Sequence, residues 1–269
     1  MQIITKVLPK KHKLFLAGDL HEGTILQHKH GIKQLIADVK KDKNAYLVIM
    51  GDLCEAITID DKRYSRNTED PNTPMPLLQY QSLVTQFMEI KDKILLVLDG
   101  NHDWKIASRF GNCVKDIFCK ELGVTYGTAC SKLLVKDPQG KLQYKAFLTH
   151  YVKNVGSTAD DPIRREANML LQLKQRLKRK ASDTAIMATG HTHKLLVAPP
   201  ASELYLTDNE GSVRQNYTKA LQTAEYIHPD LRWYVNTGSF LKLFALGVSG
   251  YAERAGYDPT ELGYAVVSV

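Results

Sequence analysis

The sequence predicts an α/β protein, and three features lead to that reading. Short apolar runs with the branching of buried strands stand at Leu14-Phe15-Leu16-Ala17, Tyr46-Leu47-Val48-Ile49-Met50, Ile94-Leu95-Leu96-Val97-Leu98, Ala146-Phe147-Leu148 and Ala185-Ile186-Met187-Ala188. Each run leads into a small cluster of aspartate, asparagine or histidine. A helical stripe separates the first two runs, whereas beyond Leu122 the pattern shifts to short strands and a hairpin, so a second sheet is expected.

Taken in order, the strand at Leu14 to Ala17 enters a turn at Asp19 to Gly23. A helix from about Ile25 to Lys40 follows, with Ile25, Ile32, Leu35, Ile36 and Val39 as its buried stripe. The next strand, Tyr46 to Met50, completes a βαβ unit with a right-handed crossover. Residues 54–76 read as an insertion loop, polar and interrupted by three prolines, carrying Arg63, Tyr64 and Arg66. It is either one wall of a substrate cleft or a variable surface loop. A helix at Leu77 to Ile90 precedes the strand at Ile94.

The hairpin runs from Ser131 to Val135 through Asp137-Pro138-Gln139-Gly140 into Leu142 to Thr149. Asp160-Asp161, Pro162 and the spacing of Ile163, Ala167, Leu170, Leu173 and Leu177 predict an amphipathic helix. Its basic side chains, Arg164 and Arg165 through Lys180, are read as a solvated face in preference to a phosphate-contacting one. Strands at Leu195 to Leu206 and Leu231 to Val235 flank a polar stretch, Asp208 to Lys219, and Gly263 to Val269 closes the chain as a strand.

With 269 residues, 43% hydrophobic and 24% charged, the composition is that of an ordinary globular protein. Clusters reaching from residue 19 to residue 193 must converge, so one domain over 1–269 is expected. No apolar stretch approaches the roughly 20 residues of a membrane span, and the first residues lack a signal-peptide plan, so a cytoplasmic location without membrane association is expected. The net charge of +7 assists encounter with a polyanion without demanding one. Oligomeric state is not indicated. Cys54, Cys113, Cys119 and Cys130 lack paired spacing and read as reduced thiols.

The five clusters are Asp19-Leu20-His21, Gly51-Asp52, Gly100-Asn101-His102-Asp103, Thr149-His150 and Gly190-His191-Thr192-His193. Their anionic oxygens, amide oxygen and imidazole nitrogens suit divalent Mn, Fe, Zn or Co. Two such ions about 4 Å apart can share a carboxylate and assist in-line displacement at phosphorus. Asp52, central in sequence order, is the candidate bridge. His12, His28, His30 and His228 are assigned to the surface, and a nucleophilic role for Cys54 is set aside.

This series, Asp-x-His, Gly-Asp, Gly-Asn-His-Asp, His and Gly-His-x-His, resembles the calcineurin-like metallophosphoesterases over residues 14 to 193, with a weaker echo at Asn236-Thr237-Gly238-Ser239. The resemblance implies a two-sheet mixed β-sandwich flanked by helices, with a dinuclear site at one end of the strands. It implies Asp19, His21 and His193 on one metal, Asn101, His150 and His191 on the other, and Asp52 bridging. Manganese is the first expectation, with Fe, Zn, Co or Mg as alternatives. His102 would serve the leaving group as a catalytic histidine, oriented by Asp103.

The implied reaction is phosphodiester hydrolysis by a metal-bridging hydroxide, on a nucleotide or nucleic acid. A small-molecule phosphomonoesterase and a non-catalytic scaffold are the alternatives. Phe240, Phe244, Tyr251, Arg254 and Tyr257 could stack bases and meet phosphate, but are read as core packing first.

Overall fold

Strands β2 (Lys13–Ala17), β3 (Ala45–Ile49) and β4 (Ile94–Val97) are apolar on both faces, so the sheet they form has to be covered on both sides. The computed structural model, which describes residues 1–269, shows how. β2, β3 and β4 run parallel, and β12 (Ala265–Ser268) joins β2 antiparallel to complete a four-stranded sheet. Side-chain alternation sends Phe15, Ala17, Leu47, Ile49 and Val97 to one face, against helices α1 (Lys29–Lys41) and α2 (Pro76–Phe87). Leu14, Leu16, Val48, Met50 and Leu96 point the other way.

That second face packs on a six-stranded sheet in the order β1 (Gln2–Val7), β5 (Cys130–Lys136), β6 (Leu142–Thr149), β7 (Ile186–Thr189), β11 (Trp233–Thr237) and β8 (Leu195–Ala198). Parallel and antiparallel pairs are mixed within it. Leu133, Val135, Ala146, Leu148, Ile186 and Val235 fill the space between the sheets. On the outer side Phe147, Met187 and Tyr234 pack against Leu173 and Leu177 of α5 (Pro162–Leu177). The result is a mixed α/β fold in four layers, helix, sheet, sheet, helix. No helix is long and apolar enough to cross a membrane.

Several expected boundaries move. The first helix begins at Lys29, not near Ile25, because the preceding residues are tied into the turn: Thr24 Oγ1 donates to the Thr68 carbonyl at 2.7 Å and Gln27 Nε2 to the Leu20 carbonyl at 2.9 Å. Ile25 is consequently exposed. The α5 helix starts as expected, with Asp161 capping the Arg164 N–H at 2.7 Å, but Ile163 lies in solvent and only the Leu173 and Leu177 end of the stripe is buried.

The strand expected over Leu195 to Leu206 is cut at Pro199-Pro200, since proline cannot donate to a ladder. Its second part, β9 (Leu204–Asn209), pairs instead with β10 (Ser212–Tyr217) inside the stretch read as irregular. The two-residue loop, Glu210-Gly211, has positive φ at both positions, the hairpin-compatible twist. β1 was not expected, and His12 is not on the surface. Its ring is buried between the Pro9 carbonyl, 2.7 Å from Nδ1, and the Tyr144 hydroxyl, 2.8 Å from Nε2.

Candidate metal centre

The five clusters leave the ends of β2, β3, β4, β6 and β7, and the backbone continues to zip beyond the strands. Asp19 N–H donates to the Gly51 carbonyl at 2.8 Å, Leu20 N–H to the Asp52 carbonyl at 2.8 Å, and Gly190 N–H to the Thr149 carbonyl at 3.3 Å. Such close approach explains the glycines. A Cβ on Gly51, whose φ is +93°, would stand 2.7 Å from both the Gly100 nitrogen and His150 Nδ1. One on Gly100 would collide with the Asp52 carboxylate.

Eight non-glycine residues have positive φ, and five of them are Asp19, His21, Asp52, His191 and His193. Left-handed backbone is uncommon for side-chain-bearing residues, and each instance costs on the order of 1–3 kcal/mol. Its concentration at these positions is the sign of turns shaped to aim side chains rather than to relax.

The structure brings all seven expected ligands together in two groups. Asp19, His21 and His193 form one, and Asp52, His150 and His191 another, with the donor atoms of each group within 4.8 Å of one another. Asn101 Oδ1 joins the second, 3.2 Å from His150 Nε2. Most of the set is buried: Asp19, His21, Asp52 and His150 are all at most 1% exposed.

Donor orientation tests whether cations fit here. His150 gives its Nδ1–H to the Met50 carbonyl at 2.7 Å, which turns the Nε2 lone pair of a neutral ring toward Asp52 Oδ2 at 3.3 Å and Asn101 Oδ1 at 3.2 Å. In the first group His21 Nε2 and His193 Nε2 face each other at 3.3 Å, and Asp19 Oδ1 is buried without a hydrogen bond although His193 Nε2 is 3.1 Å away. Acceptors that face acceptors in a buried site require a proton or a cation between them. The local field points the same way. Burial alone would lower the His150 pKa, but the Asp52 and Asp19 carboxylates outweigh it and raise it to about 10. The donor set and its arrangement therefore fit divalent cations.

The surrounding bonds lock this geometry. Asp52 Oδ1 accepts from the His102 N–H at 2.9 Å, leaving Oδ2 toward His150, and Asp19 Oδ2 accepts from the His191 N–H at 3.0 Å. Glu55, which the sequence reading did not single out, accepts from His21 Nδ1 at 2.6 Å and so directs Nε2 into the site. The Asn236-Thr237-Gly238-Ser239 turn closes over the back, where Phe240 N–H donates to the Asp19 carbonyl at 2.9 Å.

His102 is buried beside the two groups at the start of α3 (Asn101–Phe110). Its Nδ1 donates to the Glu55 carbonyl at 2.5 Å, and its Nε2 accepts from Arg63 Nη1 at 3.1 Å. Burial disfavours its charged form, yet the Asp52 and Glu55 carboxylates hold its pKa above the usual value. Asp103 does not orient it. The Asp103 carboxylate instead accepts from Tyr80 Oη at 2.6 Å, Gly100 N–H at 2.9 Å and Leu53 N–H at 3.2 Å, a cap on the first turn of α3. Its place three residues after Gly100 is the capping position, a signal the sequence carried. Cys54 is fully buried, and burial pushes its thiol well up, with Asp103 and Glu22 adding to the shift, which disfavours the thiolate that a nucleophile requires.

A cavity of about 450 Å³ opens over the site. His21, Asp52, Asn101, His102, His191 and His193 line its floor, Arg63 and Lys194 lie on its walls, and Tyr251 and Tyr257 border it from the chain between β11 and β12. Segment 54–76 brings Arg63 here because Asp61 holds both Arg63 and Lys105 of α3, while Asp60 pairs with Arg109. Phe240 is in the core, whereas Phe244, Tyr251, Arg254 and Tyr257 are exposed, so core packing describes only the first of these.

No family model and no curated protein matches the chain. Among solved structures it is similar to the Pseudomonas putida nuclease MPE, with a TM-score of 0.32 and 15% identity over 72% of this chain and 68% of that one. It is also similar to the calcineurin-like phosphoesterase YfkN from Bacillus subtilis, with a TM-score of 0.33 and 12% identity over 77% of this chain and 90% of that one. Both likenesses are distant, and the chemistry rests on the side chains described above.

Proposed function

We propose that the protein is a metal-dependent phosphoesterase that hydrolyses phosphodiester bonds, with a nucleotide or nucleic acid as substrate. The observation that carries this reading is the pairing of two Asp/His donor groups, Asp19, His21 and His193 beside Asp52, His150 and His191, each with two of its three residues buried, under a cavity that also holds His102. Asp19, His21 and His193 would hold one divalent cation, and Asn101, His150 and His191 a second. Asp52, whose Oδ1 accepts from the His102 N–H, would be shared between the two. Manganese suits these mixed oxygen and nitrogen donors, as do Fe, Zn and Co.

When bound, such a pair supplies an activated water and neutralises charge on phosphoryl oxygens. The chain's own groups supply the rest. His102, with Nδ1–H given to the Glu55 carbonyl, keeps Nε2 toward the cavity; once Arg63 has left it, Nε2 takes up a proton from solvent and passes it to the leaving oxygen. Arg63, now on His102 Nε2, offers guanidinium N–H groups to a phosphate oxygen and leaves that nitrogen when substrate enters. The N-terminus of the ten-residue helix α3 faces the same cavity through Asn101 and favours anions there.

The test is hydrolysis of bis(p-nitrophenyl) phosphate with Mn, Mg, Zn and Co, alongside metal content by plasma mass spectrometry. Asp52→Asn is expected to abolish turnover while the circular dichroism spectrum is kept; near-normal turnover would remove the assignment. The ratio of aryl diester to aryl monoester rates decides between diesterase and monoesterase.

A further inference from the structure

We propose that the cleft takes an unpaired nucleotide, whose base stacks on Tyr251 and Tyr257 while its phosphate lies between Arg63 and the histidines of the floor. This deepens the phosphoesterase reading of the same site and rests on it, adding the class of group that the ester must carry.

Tyrosine carries a large apolar face and a polar hydroxyl, so a pair of tyrosines left open at the border of a polar cavity can receive a further ring. Tyr251 and Tyr257 remain 38% and 50% exposed while bordering the cavity. Tyr264, from the same connection between β11 and β12, shows the ordinary alternative. It packs against Phe15 at 5.8 Å and Phe240 at 6.3 Å. The connection, residues 238–264, contains only one short helix, α6 (Tyr251–Arg254), yet it is seated: Ala252 is buried with Leu26, Leu241 and Leu243. A long loop anchored on an apolar cluster and turned toward a site is of the functional kind.

The two rings meet with centroids 5.8 Å apart and planes at 77°. In an edge-to-face pair, the ring that presents its edge keeps both of its faces free of the partner, so a base can be added to it. A parallel stack would have used one face of each. Asp258, next to Tyr257 and facing the same cavity, suits an exocyclic amino group on a base edge, while Arg63 suits phosphate.

Size and topology select further. A cavity of about 450 Å³ is of the size that takes a small molecule, about 300–1,000 Å³, and has no room for a double helix. Bases in a duplex are already stacked and paired, so a stacking platform inside a cleft favours bases that are not.

Calorimetric titration of the Mn-loaded protein tests this with the phosphonate analogue of AMP, whose P–C bond resists hydrolysis, and with the matching ribose phosphonate, which lacks the base. Stacking predicts about tenfold tighter binding of the adenosine compound. The advantage should persist in Tyr257→Phe and fall below twofold in the double variant Tyr251→Ala/Tyr257→Ala, whose exposed positions leave the thermal midpoint nearly unchanged. Equal binding of the two probes by the unmodified protein, or full discrimination in the double variant, overturns the proposal.

A four-nucleotide deoxyadenosine strand joined by the same hydrolysis-resistant P–C linkages separates the sources. Tighter binding than the mononucleotide indicates single-stranded nucleic acid, equal binding a free nucleotide, and a duplex binding as well as the strand refutes the platform. The two readings fail separately. Base discrimination without turnover of bis(p-nitrophenyl) phosphate in any metal removes the phosphoesterase function and keeps the platform, whereas turnover without discrimination removes the platform alone.

Discussion

Glu55 serves two histidines at once, its carboxylate accepting from His21 Nδ1 and its backbone carbonyl from His102 Nδ1. Each bond fixes a tautomer, so one residue aims both an expected ligand and the proposed proton donor. Glu55→Ala should weaken metal binding by about 10–100-fold, measured by titration with Mn in a competing chelator. His102→Gln should lower kcat by about 10²–10⁴-fold with metal content unchanged. If metal is lost in step with activity, His102 belongs among the ligands. The two differ in legibility. His102 stood out because it lay inside a dense cluster, whereas Glu55 lies in a segment read as an insertion, and nothing local shows that the chain there folds back against His21. A side chain whose role depends on a partner 34 positions away in sequence leaves no periodic trace.

At the scale of elements, α3 shows how a helix start becomes part of a site. Its N-terminal residue, Asn101, reaches His150, and its third, Asp103, ties the turn to Leu53 and to Tyr80 of α2. Tyr80→Phe leaves Asp103 Oδ1 buried without its hydroxyl donor, and a loss of about 1–3 kcal/mol is expected in urea denaturation. The strands that carry the clusters were legible because burial on both faces writes a continuous apolar run. β9 was legible only as the tail of a longer strand and β10 not at all, since both faces of that hairpin are mostly exposed and burial does not restrict their residues. α1 was legible through its stripe, but its start was displaced because the turn before it bonds to segment 54–76 instead of to its own helix.

For the whole molecule, the two sheets meet through apolar side chains, and ion pairs tie strands at the margin. Lys132 of β5 and Lys145 of β6 both donate to Asp183, just before β7, at 2.6 and 2.8 Å. Partial burial raises the Asp183 pKa, but the two lysines outweigh that and hold it below the usual value. A lowered folded-state pKa contributes stability above the unfolded value, near 4, that is lost as pH falls through the folded one. Asp183→Asn should therefore be less stable than the parent at pH 7, with the difference closing in urea denaturation below pH 3. The sequence by itself determined the α/β class, the βαβ start and the five donor clusters, because burial and ligand chemistry each restrict residue type locally. Only the tertiary structure decided that the clusters meet in two groups, that Glu55, Arg63 and the two tyrosines complete the cleft, and that Asp103 caps α3 instead of serving His102. Those outcomes depend on distances between residues far apart in the chain, set by how the sheets stack.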